Sequence, residues 1–156
     1  MSIINIPLKD RRTKNLNLLA NTVYENFKLE ATDESLNHNM PEIYRLLKGE
    51  RSEIFLFIIN KKIAGYIVGE KIKMSDGRNV FFITYLFTAK KFRNKKIGSQ
   101  LLTHVETYAK NNYLNCLMLT CDSNNQYLNT FYLMKGFMPD LTFRTYSRYE
   151  TLSKRL

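Results

Sequence analysis

The sequence predicts an α/β fold of the α+β kind, one mixed sheet with helices on both faces. Three observations predict it. Val80-Phe81-Phe82-Ile83-Thr84-Tyr85-Leu86-Phe87 is an almost unbroken apolar run of buried-strand length. A basic loop, a helical repeat and a second apolar strand follow it, so residues 80–121 read as strand–helix–strand. Such a unit gives a parallel pair with a right-handed crossover. Before it, two β-rich segments flank a short polar turn and read as an antiparallel hairpin.

The elements follow in order. Ile3-Ile4-Asn5-Ile6-Pro7-Leu8 is a short first strand. From Asn15 to about Lys28, Leu16, Leu19, Ala20, Val23 and Phe27 recur at helical spacing. A polar connection, Glu30-Ala31-Thr32-Asp33-Glu34-Ser35, leads to a second helix with Met40, Ile43, Leu46 and Leu47 inward. Ser35 is a candidate cap, and Pro41 either interrupts this helix or opens its better-formed part. Ile54–Ile59 and Ile63–Glu70 are the hairpin strands around Asn60-Lys61-Lys62, and Asp76-Gly77 marks the next turn. After the strand at 80–87, Ile97, Leu101, Leu102, Val105, Tyr108 and Ala109 form one face of a helix running to about Asn112. Asn115–Cys121 is a strand, Asn125–Lys135 a helix stopped by Gly136, and Phe143–Tyr149 the expected last strand. The order is β-αα-ββ-β-α-β-α-β. No repeat, low-complexity segment or linker divides the chain, and a single domain over 1–156 is expected.

Composition narrows the function classes. The chain has 156 residues, 44% hydrophobic and 24% charged, with a net charge of +10. No apolar run reaches transmembrane length and no secretory-type leader opens the sequence, so the expectation is a cytoplasmic protein without membrane partners. The positive charge admits three readings: a nucleic-acid binder, a Lys- and Asn-rich composition bias, or a site for an anionic cofactor. The basic residues are spread along the chain, which disfavours a nucleic-acid stripe. The densest cluster is Lys90, Lys91, Arg93, Lys95 and Lys96. Cys116 and Cys121 sit five residues apart on one expected strand, on opposite faces, and match no metal or redox spacing. They read as buried thiols, with Cys121, nearer the strand end, as an alternative nucleophile. His38 and His104 have no companion ligands, and no metal site is expected.

The basic cluster lies where chemistry is expected. Arg93-Asn94-Lys95-Lys96-Ile97-Gly98-Ser99 joins a buried strand to a helix start. First-turn N–H groups lack intrahelical partners and the helix dipole adds positive potential, so the segment suits an anion, most naturally a pyrophosphate.

These motifs resemble the GNAT (Gcn5-related N-acetyltransferase) family. Its central-strand and loop pattern is met at Leu86-Phe87-Thr88, then Arg93, Lys96 and Gly98; Thr88 replaces the usual Val, and Lys96 the first glycine. Its later pattern is met at Asn125, Tyr132, Gly136 and Phe137, with Leu128 where a small residue is common. The resemblance covers residues 80–137 closely and 1–80 more loosely. It implies acetyl-CoA as cosubstrate, held by Arg93–Ser99 and by main-chain groups of Leu86, Phe87 and Thr88, with Asn125 on the pantetheine or capping its helix. It implies direct acetyl transfer to a primary amine of a small molecule or peptide, with Tyr132 both lining the cofactor site and acting as general acid.

Acetyl transfer also needs the amine to lose a proton. Glu70 and then Asp122 are the candidate bases, with a water chain as the alternative. The acidic Glu30, Asp33 and Glu34 could draw a cationic amine or simply be a solvated loop. Arg144 with Arg148, or Tyr146 with Tyr149, could face the acceptor from the last strand. A non-catalytic acyl-CoA-binding module, and a nucleic-acid binder, are the competing functions. Exposed strand edges are compatible with a homodimer, and no residue pattern selects one.

Overall fold

The computed structural model describes residues 2–7, 10, 11, 13–30, 39–145 and 147–156. Its elements are β1 (Ser2–Asn5), α1 (Thr13–Glu30), α2 (Met40–Lys48), β2 (Ser52–Ile59), β3 (Lys62–Lys73), β4 (Asn79–Thr88), α3 (Ile97–Asn111), β5 (Cys116–Asp122), α4 (Gln126–Met134), β6 (Met138–Pro139) and β7 (Tyr149–Arg155). A short 3-10 turn, Lys90–Phe92, links β4 to α3. The seven strands form one sheet in the order β1-β2-β3-β4-β5-β7-β6, and β4 with β5 is the parallel pair.

Local chemistry explains the element ends. Asn60 and Lys61 both take positive φ, the geometry of a two-residue hairpin turn, and Ile59 pairs with Lys62 across it. Asn39 caps α2 by accepting a bond from the Glu42 N–H at 3.0 Å, and Pro41 falls in the first turn, where its missing N–H costs nothing. Ser35, Asp33, Glu34, His38 and Tyr146 lie outside the described residues.

Each face of the sheet has its own core. On one face Ile97, Leu101, Leu102, Val105 and Ala109 of α3 bury against Phe55, Phe57, Phe81, Leu117 and Leu119, joined by Tyr132 of α4 and by Phe137. On the other, Leu16, Leu19, Ala20 and Val23 of α1 and Ile43, Leu46 and Leu47 of α2 meet Ile54, Leu56, Tyr66, Val68 and Tyr85. Full burial of such a side chain contributes about 1.5–3 kcal/mol. Cys121 belongs to the α3 side, whereas Cys116 packs with Val80 and Met118.

Two features shape the site. The β4–β5 pairing runs only from Val80↔Cys116 to Ile83↔Leu119; beyond it β4 follows β3 and β5 follows β7, so the two strands part. At the same point Val68 faces Tyr85 while Gly69 faces Ile83, leaving Thr84 as the extra residue of a β-bulge. A bulge bends its strand and re-aims the side chains after it. Phe81 and Ile83 lie in the α3-side core, but after the bulge Leu86 takes that side and Tyr85 and Phe87 turn toward α1 and α2. Gly69 makes the tight approach possible: a Cβ there would stand 2.5 Å from both the Phe82 carbonyl oxygen and the Phe81 ring. Gly69→Ala is expected to cost about 1–3 kcal/mol or more, read as a lowered Tm; an unchanged Tm would show that the bulge relaxes freely.

The last strand differs from expectation. Phe143, Arg144, Thr145, Ser147 and Arg148 do not belong to it; β7 is Tyr149–Arg155, paired with β5 along its whole length. Only Thr151 and Leu152 of β7 are buried, so its sequence carries little apolar alternation.

Candidate functional site

The parting of β4 and β5 opens a cavity of about 850 Å³. Leu86, Phe87 and Thr88 at the end of β4 form one wall. Among the described residues their main-chain edge toward β5 has no strand partner, because the pairing stops at Ile83. Asn125, Tyr127, Leu128, Phe131 and Tyr132 of the α4 region form the opposite wall. Arg93, Asn94, Lys96, Ile97, Gly98 and Ser99 close one end.

That end is a helix start open to an anion. Lys96 precedes α3 in the left-handed region (φ 59°, ψ 26°) and gives it no side-chain cap. Lysine thus takes a left-handed conformation that glycine adopts more easily. The first bond of α3 runs from Gln100 N–H to the Lys96 carbonyl at 3.0 Å, which leaves the N–H groups of Ile97, Gly98 and Ser99 without intrahelical partners. Arg93 donates from Nε to the Thr88 carbonyl at 3.2 Å, tying the loop to the strand end. Lys95 does not line the cavity; its ammonium lies 5.6 Å from the Phe92 ring centre.

Tyr132 comes from α4 and is 7% exposed. Its ring meets Phe131 and Phe137 edge-to-face at 5.3 and 5.5 Å. Burial, with Cys121 nearby, pushes its phenol well above the usual tyrosine value, so it holds its proton. Among the described residues its hydroxyl makes no hydrogen bond. Asn125 caps α4 by accepting from the Leu128 N–H at 3.1 Å, which leaves its amide N–H₂ available to the cavity it lines.

The candidate bases are not brought there. Glu70 lies across from Ser52 and Phe82, on the far side of the bulge from the cavity. Asp122 is held by Arg148 through two bonds of 2.9 and 2.7 Å and accepts the Asn124 N–H at 2.9 Å. Its carboxylate is therefore engaged in fixing the end of β5. The same bonds take Arg148 away from an acceptor groove. Burial, with Asp122 and Glu150 nearby, pushes the Cys121 thiol up to about 11, so it is not a thiolate at neutral pH.

Six lining residues were not singled out by sequence reasoning: Asn26, Tyr66, Thr84, Tyr85, Tyr127 and Phe131. The available signal was chemical. Tyr66 and Tyr85 are tyrosines at otherwise apolar strand positions, where a hydroxyl needs a reason.

The sequence model of the "Acetyltransferase (GNAT) family" matches residues 20–137. The chain belongs to the GNAT family. Among curated protein sequences, none matches this chain. Solved structures share the fold at low identity. A GNAT-family acetyltransferase from Streptococcus pneumoniae is 20% identical, with a TM-score of 0.71 over 99% of this chain and 98% of its own. The PaiA N-acetyltransferase from Thermoplasma acidophilum, solved in complex with coenzyme A, is 17% identical, with a TM-score of 0.68 over 100% of both chains. A chain of the NatC complex bound to Gag peptide and CoA is 16% identical, with a TM-score of 0.73 over 100% of this chain and 99% of its own. The GNAT domain places the strand–loop–helix segment and the Asn125–Tyr132 segment, far apart in sequence, on one cavity. No described helix is long and apolar enough to cross a membrane.

Proposed function

We propose that this GNAT domain, spanning residues 1–156, is an acetyl-CoA-dependent N-acetyltransferase that moves an acetyl group directly to a primary amine of a small molecule or peptide. The observation that carries the reading is one cavity joining an uncapped helix start, an unpaired strand edge and a protonated phenol. These features fit the parts of acetyl-CoA. Arg93, Lys96 and the N–H groups of Ile97, Gly98 and Ser99 suit its phosphates, and the main-chain edge of Leu86–Thr88 with Asn125 suits its amide-bearing arm. Bound acetyl-CoA supplies an activated acetyl thioester with a thiol leaving group. Tyr132 holds the proton that this sulfur needs. Main-chain N–H groups at the unpaired edge supply donors for the charge that develops on the carbonyl oxygen.

No carboxylate lines the cavity among the described residues, which favours water over Glu70 or Asp122 for deprotonation. The same observation supports the second reading, a non-catalytic acyl-CoA-binding module. Two measurements decide. Acetyl-CoA at about 100 times its Kd adds roughly 2.7 kcal/mol of stability, an upward Tm shift of about 5–10 °C for a domain of this size. No shift at millimolar ligand rejects both readings. A shift without transfer to any amine selects the binding module.

Gly98→Ala tests the phosphate end alone. A Cβ at Gly98 would stand 3.4 Å from the Phe131 ring and 3.9 Å from Thr88 Oγ1, ordinary contacts that the fold accepts. Unliganded stability is expected to stay within about 0.5 kcal/mol. If the methyl displaces one charge-assisted hydrogen bond, affinity for acetyl-CoA falls roughly 10- to 100-fold. Equal Tm shifts with acetyl-CoA in both proteins would remove the phosphates from this helix start.

A further inference from the structure

The cavity has two chemically different ends. Its charged lining residues, Arg93 and Lys96, are both at the α3 start. The other end, toward α1, is lined by Asn26, Tyr66, Tyr85 and Phe87, with Thr84 at the bulge. Tyr66 and Phe87 face each other across β3 and β4 and stack with centres 5.4 Å apart and planes 29° from parallel. Asn26 donates from Nδ2 to the Tyr66 hydroxyl at 3.4 Å. The fully buried residues of the α1–α2 core are otherwise aliphatic, yet they include two tyrosines, Tyr66 and Tyr85, that line the cavity. Glu42, in the first turn of α2, is near enough to Tyr85 for its charge to act there.

We infer that this aromatic end is the acceptor subsite and that it takes a primary alkylammonium rather than an aromatic or acid-bearing amine. The inference rests on the transferase reading and names the substrate class of that site. Electron-rich ring faces attract an ammonium, phenol oxygens accept its N–H bonds, and a nearby carboxylate adds to the attraction. Burial pushes the Tyr66 phenol up to about 12, so it remains a neutral acceptor at working pH. An acid-bearing amine would bring an anion to rings whose faces repel it.

The transfer balances. The amine nitrogen bonds to the acetyl carbon as the carbon–sulfur bond breaks. The ammonium loses two protons on becoming an amide. One is released to water at the open mouth. The other is matched by the proton Tyr132 gives to sulfur and then regains from solvent.

The test uses three probes, n-butylamine, aniline and 4-aminobutyrate, on the full chain. Each is titrated calorimetrically into the protein–CoA complex and assayed with acetyl-CoA. The expected result is tightest binding and highest kcat/KM for n-butylamine, by roughly tenfold over either comparator. Tyr85→Leu and Tyr85→Phe separate ring from hydroxyl. The first is expected to raise KM for n-butylamine roughly tenfold and the second by less, both keeping the acetyl-CoA Tm shift. A preference for aniline or 4-aminobutyrate, with transfer intact, overturns the subsite and leaves the transferase standing. Binding of n-butylamine without transfer keeps the subsite and overturns the transferase. No binding of any probe overturns the subsite, whether or not the variants fold.

Discussion

Tyr132→Phe is expected to lower kcat by about 10²- to 10⁴-fold, the usual contribution of a positioned general acid. The fold should survive the change. The two edge-to-face contacts, with Phe131 and Phe137, belong to the ring and remain in phenylalanine. The lost hydroxyl has no hydrogen-bond partner among the described residues, so its removal strands no buried group. A purely packing role therefore predicts full activity and equal or higher stability. Steady-state kinetics with acetyl-CoA and an accepted amine, alongside a Tm, separates the two. Because burial holds the phenol protonated, wild-type kcat should not fall on the alkaline side below about pH 10 through loss of this proton. A variant as fast as the wild type would end the acid assignment.

Asp140→Asn is expected to cost about 3 kcal/mol, a Tm drop of about 6–12 °C. The Asp140 side chain is 4% exposed and faces Arg78 through bonds of 2.7 and 3.1 Å. It also accepts the Ser153 hydroxyl at 2.6 Å and the N–H groups of Thr142 and Phe143 at 3.1 and 2.9 Å. The Arg78 bonds hold its carboxyl well below the ordinary aspartate value. The folded state thus binds this proton less readily than the unfolded chain. The stabilisation is complete above the unfolded value of about 4 and disappears as pH falls through the lower folded value. The variant should show a flatter dependence of Tm on pH below about 4. Wild type and variant sharing one acid-denaturation curve would show that another group controls this range.

Much of the fold could be read from the chain because its signals are local. The α3 stripe, the Asn60-Lys61 turn and the apolar run of β4 are set by neighbours in sequence. The loop at Arg93–Ser99 and the pair Asn125 and Tyr132 stand out in the sequence for a related reason, each by spacing within its own strand–loop–helix segment, and all of them but Lys95 line the one cavity. The errors fall where distant partners decide. The aromatic segment 143–148 looked more like a strand than Tyr149–Arg155, but β7 is held by its ladder to β5, which no local pattern announces. Asp122 reads as a free strand-end acid until Arg148 returns to it. Glu70 needed the β3–β4 register to show that it sits beyond the bulge. The bulge itself is silent in an unbroken apolar run, and with it the turning of Tyr85 and Phe87 toward α1.

That extra residue makes this stretch of β4 sensitive to register more than to identity. A conservative exchange at Thr84 keeps every later side chain on its face. Drawing Thr84 into the ladder, with no residue lost, would restore the plain alternation and send Tyr85 and Phe87 into the α3 layer, with Leu86 thrown out toward α1. Drift within the family should therefore be free to change the letters of residues 84–88 while preserving their register against β3, and a β4 whose ladder runs on unbroken through Thr84 would mark a descendant that has abandoned this cavity.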